Sequence, residues 1–197
     1  RLIMQRRSVL LTALALAACI AEKPKPAFKN IDITGAAYAK ALSLPDADGK
    51  TRTLADFSGK VVIVFFGFAQ CPDVCPSTLA EIAEVRQKLG AAGAKVQPVF
   101  ITVDPERDTA QVLKEYVRSF GDDVVALRGT LEQTQAAARD FKVFFGKVPG
   151  KTEGSYTIDH TAGSFVFDPK GQVRLFVRYG GGAEALASDL KLLLEGA

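Results

Sequence analysis

The chain has 197 residues, 48% of them hydrophobic and 24% charged, which is enough for one globular domain with a buried core and gives no sign of a second. Its formal net charge of +3 comes from the first seven residues, because without Arg1, Arg6 and Arg7 the basic and acidic side chains balance at 22 each. A domain with balanced charge has no electrostatic reason to bind phosphate backbones, so we expect no nucleic-acid partner.

The first 19 residues have the pattern of an export signal. Arg6 and Arg7 precede an apolar run, residues 9–18, that is too short to span a bilayer as a helix. The ending Leu-Ala-Ala-Cys resembles a bacterial lipoprotein signal, in which the cysteine becomes the lipidated first residue. We therefore expect residues 1–19 to be a signal peptide ending at the lipidated Cys19. An uncleaved N-terminal signal anchor is the alternative, and both place the domain on the periplasmic face of a bacterial membrane.

Residues 20–30 are polar, contain two prolines and show no periodicity, which predicts a flexible tether. The folded domain is expected to cover residues 31–197. It begins with two short candidate strands, residues 41–44 and 51–54, which flank the turn sequence Asp-Ala-Asp-Gly at residues 46–49. This pattern predicts an N-terminal hairpin packed on the main sheet.

The rest of the chain alternates apolar strands with amphipathic helices. The uninterrupted β-branched and aromatic run at residues 61–66 predicts a central strand covered on both faces. The further predicted strands are residues 96–103, 124–127, 165–167 and 173–177, and the predicted helices are residues 77–89, 109–120 with Asp108 as N-cap, 131–141 and 183–194. Parallel β-α-β units followed by a hairpin and a helix predict an α/β, thioredoxin-like fold with a central mixed sheet flanked by helices.

Cys71 and Cys75 lie between the predicted central strand and the helix that follows it. Pro76 suits the first position of a helix, so Cys75 is expected near the N-cap and Cys71 in the loop before it. Both sulfurs are then near a helix N-terminus, which favours the thiolate and lowers the pKa of a thiol. A structural disulfide here would close only a tiny loop and stabilise little, which argues against that alternative. The spacing of three residues is compatible with both redox chemistry and metal binding.

His160 is the single histidine, and it lies just before a predicted strand whose entering loop packs against the dithiol in thioredoxin-like folds. A structural histidine is the alternative to a metal ligand. Two thiolates and one imidazole suit copper, since thiolates select Cu(I) and the added nitrogen can help to hold Cu(II). Structural zinc requires four ligands, and no further Cys or His remains in the domain to supply one.

Three segments in this order resemble the Sco (SenC/PrrC) family of copper chaperones for cytochrome c oxidase assembly. They are Cys-Pro-Asp-Val-Cys-Pro at residues 71–76, Val-Asp-Pro-Glu-Arg-Asp-Thr at residues 103–109, and Asp-His at residues 159–160 leading into residues 165–171. The resemblance implies Cys71, Cys75 and His160 as copper ligands, with Asp73 and Asp159 beside the site. We expect the segment at residues 103–109 to organise a turn before a helix, because either Asp108 or Thr109 can cap it, with Arg107 either structural or approaching the site.

The resemblance further implies a monomeric metallochaperone that passes copper to the copper-A site of cytochrome c oxidase subunit II. Cys71 and Cys75 must be reduced to bind copper, so a thiol reductase is implied as a partner, and a separate copper donor is also expected. The main alternative is a thiol–disulfide reductase that keeps the cysteines of the oxidase copper site reduced; a peroxidase is a weaker third. Ala69 and Gln70 depart from the family pattern before Cys71, which concerns partner specificity and leaves the ligands intact.

Overall fold

The computed structural model of the protein describes residues 26–197. The predicted signal peptide, its lipidation site Cys19 and the first part of the predicted tether lie outside the described residues, so these assignments stay predictions. Within residues 26–197, no helix combines the length and the apolar character that crossing a bilayer requires.

The described part of the chain contains ten strands and four α-helices. The strands are β1 (Ile31–Asp32), β2 (Ser43–Pro45), β3 (Thr51–Thr53), β4 (Val61–Gly67), β5 (Val96–Thr102), β6 (Val125–Leu127), β7 (Phe145–Pro149), β8 (Tyr156–His160), β9 (Gly163–Phe167) and β10 (Val173–Arg178). The helices are α1 (Val74–Lys88), α2 (Ala110–Arg118), α3 (Leu131–Phe141) and α4 (Ala183–Leu194). Short 3-10 segments follow β3 and α1.

The central sheet has six strands in the order β1-β10-β9-β4-β5-β6. Strand β4 pairs in parallel with β5 and antiparallel with β9, so Val64 lies between Val99 and Phe165. Every residue of β4 is buried, as its continuous apolar sequence predicts. The parallel β4-β5-β6 half joined to the antiparallel β9-β10-β1 half confirms the predicted thioredoxin-like mixed sheet.

Two apolar clusters cover the two faces of this sheet. On one face, α1 and α4 pack together through Ile82 and Leu190 against Ile63 of β4. On the other, Leu113 of α2 and Phe141 of α3 belong to a larger cluster rich in phenylalanine. Burial of each large apolar side chain contributes about 1.5–3 kcal/mol, so the sheet is held rigidly between its two helical layers.

The described end of the predicted tether is hydrogen-bonded to α4. The carboxylate of Asp189, which is fully buried, accepts the backbone N–H groups of Lys29 at 2.9 Å and Asn30 at 2.8 Å, and also the Asn30 side-chain amide at 2.8 Å. Three donors satisfy a carboxylate that would otherwise be costly to bury. The predicted boundary at Ile31 stays a prediction, and the structure adds an ordered attachment just before it.

Several element boundaries differ from the prediction. Helix α1 begins at Val74, three residues before the predicted start, because Cys75 and Pro76 both fit in its first turn. Of the two candidate caps, Thr109 is the N-cap of α2: its hydroxyl accepts the N–H of Val112. Asp108 is unsuited to that role because its carboxylate turns inward and is completely buried. The hairpin of β7 and β8 was not predicted.

Candidate metal centre

The two cysteines lie where the central strand passes into α1. Strand β4 ends at Gly67, and the loop that follows closes with a hydrogen bond from the Cys71 N–H to the Phe68 carbonyl at 3.1 Å. Cys75 is the second residue of α1 and Pro76 the third. The first N–H groups of a helix have no intrahelical partner, so proline is tolerated there. The Cys75 N–H points back at the Cys71 sulfur at 3.4 Å.

His160 reaches the cysteines from the opposite side, at the end of β8. Its ring packs edge-on against Phe65 and Phe68, with centroids 5.9 and 6.0 Å away. Its Nδ1 lies 3.1 Å from the Thr161 carbonyl oxygen. Because a carbonyl only accepts, Nδ1 carries the hydrogen and the lone pair of the neutral ring resides on Nε2. That Nε2 lies 3.5 Å from the Cys75 sulfur.

These three side chains form a compact donor set. The sulfur atoms of Cys71 and Cys75 and a ring nitrogen of His160 all lie within 4.8 Å of one another. A metal ion with ligand bonds of about 2.0–2.3 Å spans donors up to about 4.6 Å apart, so a small adjustment lets one ion contact all three. Both cysteines are free thiols. Two sulfurs and one imidazole fit copper, and the structure brings together the three residues that the sequence singled out.

Burial sets the protonation states of these groups. Cys75 is fully buried and Cys71 half-buried. Loss of solvation raises the pKa of the Cys75 thiol, so the prediction that the helix N-terminus lowers it is wrong for this residue. Burial also lowers the pKa of His160, which keeps the imidazole neutral at pH 7 with its Nε2 lone pair available. Metal binding at Cys75 must therefore displace a proton.

The two predicted flanking carboxylates are both exposed. Asp73 is the N-cap residue of α1, and its Oδ1 accepts the hydroxyls of Ser77 at 3.3 Å and Tyr179 at 3.5 Å. The charge of Asp159 acts to raise the pKa of His160 against the larger effect of burial. The Thr161 carbonyl, and not Asp159, makes the hydrogen bond that orients the ring.

Sequence reasoning expected Arg107 to be either structural or close to the site, but it missed the contact that Asp108 makes there. Arg107 donates to the Tyr156 carbonyl at the start of β8, and Asp108 accepts the N–H of Ala69 beside the cysteines. The sequence at residues 103–109 marked this loop as a structured turn. Nothing in its spacing indicated that two adjacent charged residues contact the two sides of the site.

Comparison with known proteins gives a consistent family. The SCO1/SenC family model matches residues 32–195. Mouse "Protein SCO2 homolog, mitochondrial" is 40% identical over 141 residues, which cover 71% of this chain and 54% of that protein. An SCO2-like protein of Rickettsia felis is 33% identical over 152 residues, covering 77% of this chain and 74% of that protein. The chain spans about half the length of the first curated relatives it matches.

Solved structures of similar proteins include several with copper bound. ScoI of Bradyrhizobium japonicum with copper is 38% identical with a TM-score of 0.70, covering 78% of this chain and 97% of that one. ScoI of Arabidopsis thaliana with copper is 32% identical with a TM-score of 0.74, covering 80% and 98%. An SCO1/SenC family lipoprotein of Bacillus anthracis is 25% identical with a TM-score of 0.63, covering 78% and 92%.

Proposed function

The chain belongs to the SCO1/SenC family, and we propose that it is a membrane-tethered copper chaperone that binds one copper ion through Cys71, Cys75 and His160. The observation that carries the proposal is the convergence of these three donors within 4.8 Å. Copper is the cargo of such a protein. Its release to an acceptor is the functional event, and no turnover chemistry is required of the protein's own residues.

The proposed acceptor is the copper-A site of cytochrome c oxidase subunit II. A three-ligand site leaves copper open to an incoming sulfur, and the half-buried Cys71 leaves one side of the site accessible. Transfer then proceeds by ligand exchange, with each sulfur of the chaperone replaced by one from the acceptor. A thiol reductase keeps Cys71 and Cys75 reduced, and a second copper protein supplies the ion. The chaperone acts as a monomer.

We place the domain at the periplasmic face of a bacterial membrane, held by a lipid on Cys19. The pattern of residues 1–19 supports this location, as does the likeness to a protein described as a lipoprotein in Bacillus anthracis. In this arrangement residues 20–30 join the lipid to the folded domain. An uncleaved signal anchor gives the same topology.

Substitution of His160 tests the ligand assignment. We expect His160→Ala to raise the copper dissociation constant by more than about 100-fold, since loss of a ligand exceeds the 10- to 100-fold effects of outer partners. Thr157→Ala is the matched control, because Thr157 is an exposed residue of the same strand. Competition with a Cu(I) chelator and the thiolate-to-Cu(II) absorption band measure binding, and oxidase activity in a complemented deletion strain measures delivery. Unchanged copper affinity and normal oxidase assembly in His160→Ala would refute the assignment.

A thiol–disulfide reductase is the second candidate, favoured by the unequal exposure of the cysteines. Cys71 is accessible to a partner disulfide, whereas Cys75 lies buried behind it, in a position to resolve a mixed disulfide. In this reading Cys71 attacks one sulfur of the partner disulfide and forms a mixed disulfide, which Cys75 then attacks. The partner leaves with both sulfurs reduced, and Cys71 and Cys75 are left as a disulfide that the thiol reductase must reduce again. Both functions require the cysteines, but only the chaperone requires His160. Retention of oxidase assembly in His160→Ala together with its loss in Cys71→Ser would favour the reductase.

A further inference from the structure

The two sides of the metal centre belong to different parts of the fold. Cys71 and Cys75 follow β4 of the central sheet, whereas His160 ends β8, which within the described residues pairs only with β7. At its C-terminal end the hairpin is joined by Thr161 and Ala162 to β9, which pairs with β4 through Ser164 and Phe65. In the described part of the chain, no such pairing holds the turn end of the hairpin, where β8 begins. A metal ion tolerates only a few tenths of an ångström in its ligand bonds, so contacts at the turn end also bear on the distance between His160 and the cysteines.

Residues 102–108, at the end of β5 and in the loop before α2, contact the cysteine side through Asp108. This side chain is fully buried, and its Oδ2 accepts the Ala69 N–H at 3.0 Å and the Thr102 hydroxyl at 2.6 Å. Ala69 is two residues before Cys71. The same carboxylate oxygen thus joins the cysteine loop to the end of β5.

The same segment contacts the histidine side through three other residues. Arg107 donates to the Tyr156 carbonyl at 2.9 Å and stacks over the Tyr156 ring at 3.7 Å. Asp104 pairs with Arg107 and accepts the Tyr156 hydroxyl at 2.9 Å. Glu106 forms an ion pair with Lys147 of β7 at 2.6 Å. Tyr156 is the first residue of the strand that ends at His160 and pairs with Pro149 next to the hairpin turn, so these contacts hold β8 at the end opposite His160.

We propose that residues 102–108 form a bracket that sets the separation of His160 from the two cysteines, with Asp108 and Arg107 as positioning residues for copper binding. The inference rests on the proposed function, because it assumes that copper is held by all three ligands. Neither positioning residue touches the metal. Asp108 acts through the backbone of the cysteine loop, and Arg107 acts through the backbone of β8.

The Asp108 side of the bracket is tested with two variants and a matched control. Asp108→Ala removes both hydrogen bonds and should raise the copper dissociation constant about 10- to 100-fold, with a shifted thiolate-to-Cu(II) band. Asp108→Asn should retain the affinity and the band, because an amide oxygen in the place of Oδ2 accepts the same two donors. Asp189→Ala removes an equally buried carboxylate that also accepts backbone N–H groups, but on α4. It should lower the free energy of unfolding and leave copper binding unchanged.

The Arg107 side is tested with Arg107→Met and Tyr156→Phe. These two variants also test the bracket if Asp108→Ala does not fold. Both should weaken copper binding and shift the same band. If both sides of the bracket set the same distance between His160 and the cysteines, loss of either side alone already releases that distance. The effect of the Arg107→Met, Asp108→Ala double variant on copper affinity should then be clearly smaller than the sum of the two single effects.

The controls separate failure of the bracket from failure of the proposed function. The proposed function fails if the wild-type domain binds copper no more tightly than Cys71→Ser or His160→Ala. The bracket fails if wild-type binding is tight and requires all three ligands, while Asp108→Ala and Arg107→Met match Asp189→Ala in affinity and spectrum. It also fails if affinity falls only in proportion to the free energy of unfolding in all of these variants.

Discussion

Substitution of Gly67 by alanine tests how closely the cysteines are packed against the central sheet. Gly67 is the last residue of β4. A methyl group there would lie 2.8 Å from the Cys75 sulfur, 2.8 Å from the Phe100 ring and 2.9 Å from the Phe65 ring. Each distance is shorter than the 3.4 Å at which ordinary contact begins. The added methyl must therefore displace the sulfur, the rings or the strand itself.

The size of the effect follows from the rigidity of these neighbours. Phe65 and Phe100 are at most 1% exposed, so neither ring has room to turn away. Overpacking of this kind costs about 1–3 kcal/mol. With a urea dependence of about 1–3 kcal/mol per molar for a small protein, a loss of about 2 kcal/mol lowers the unfolding midpoint by about 1 M urea. Part of the displacement falls on Cys75, so the copper dissociation constant should rise as well.

The assay is urea unfolding of the reduced, metal-free domain, followed by copper competition on the same samples. Gly146→Ala is the control, because a methyl group there meets only the exposed Phe144 ring, at 3.4 Å. That change should be neutral or should stabilise the domain by about 0.4–1 kcal/mol, because alanine lowers the conformational entropy of the unfolded chain. If Gly67→Ala unfolds at the wild-type urea concentration and binds copper with wild-type affinity, the reasoning from close packing is wrong.

Two further predictions concern transfer and pH. Phe144 is 68% exposed beside Thr161 of the histidine hairpin, so Phe144→Ser should change stability by less than about 0.5 kcal/mol and leave copper affinity intact, but slow copper transfer to an isolated copper-A domain severalfold. Equal transfer rates, followed by absorbance, would exclude an acceptor contact at this residue. Burial raises the pKa of Cys75, so its thiol is protonated near pH 7 and copper binding releases that proton. The copper dissociation constant should therefore fall at least about tenfold per pH unit between about pH 6 and pH 8, and calorimetry in two buffers should count the protons released, with at least one from Cys75; a constant that does not vary with pH would contradict the buried thiol.

The sequence predicts the strongly periodic elements well. Strand β4 was expected from its continuous apolar run, and α3 and α4 have the predicted bounds, residues 131–141 and 183–194. The hairpin of β7 and β8 was missed because β7 contains a glycine and a proline and is exposed over its last three residues, and the alternation of Tyr156 and Ile158 with polar residues in β8 is short. The start of α1 was missed because Pro76 was assigned to the first helical position and occupies the third.

The candidate ligands could be identified from residue type and order, because these reflect the chemistry of the site. The burial of these ligands could not be predicted, because it depends on contacts between segments that are distant in the sequence. The helix N-terminus alone predicts a lowered pKa for the Cys75 thiol, but Phe65, Phe100 and the rest of the core exclude the water that would solvate the thiolate. Asp108 was expected at a helix cap for the same reason: local sequence favours a cap, and the buried contacts with Ala69 and Thr102 prevail.

If the domain transfers copper as proposed, the unequal burial of the two cysteines sets the order in which its ligands are exchanged. An incoming sulfur would reach the ion on the side of Cys71, so Cys71 would be replaced first and the buried Cys75 last. When Cys75 releases the ion, the buried sulfur takes up a proton, because a bare thiolate is unstable in that apolar surrounding. Once Cys75 is protonated, rebinding of copper requires the loss of that proton again. Burial of Cys75 in the core therefore favours release of the ion over its return.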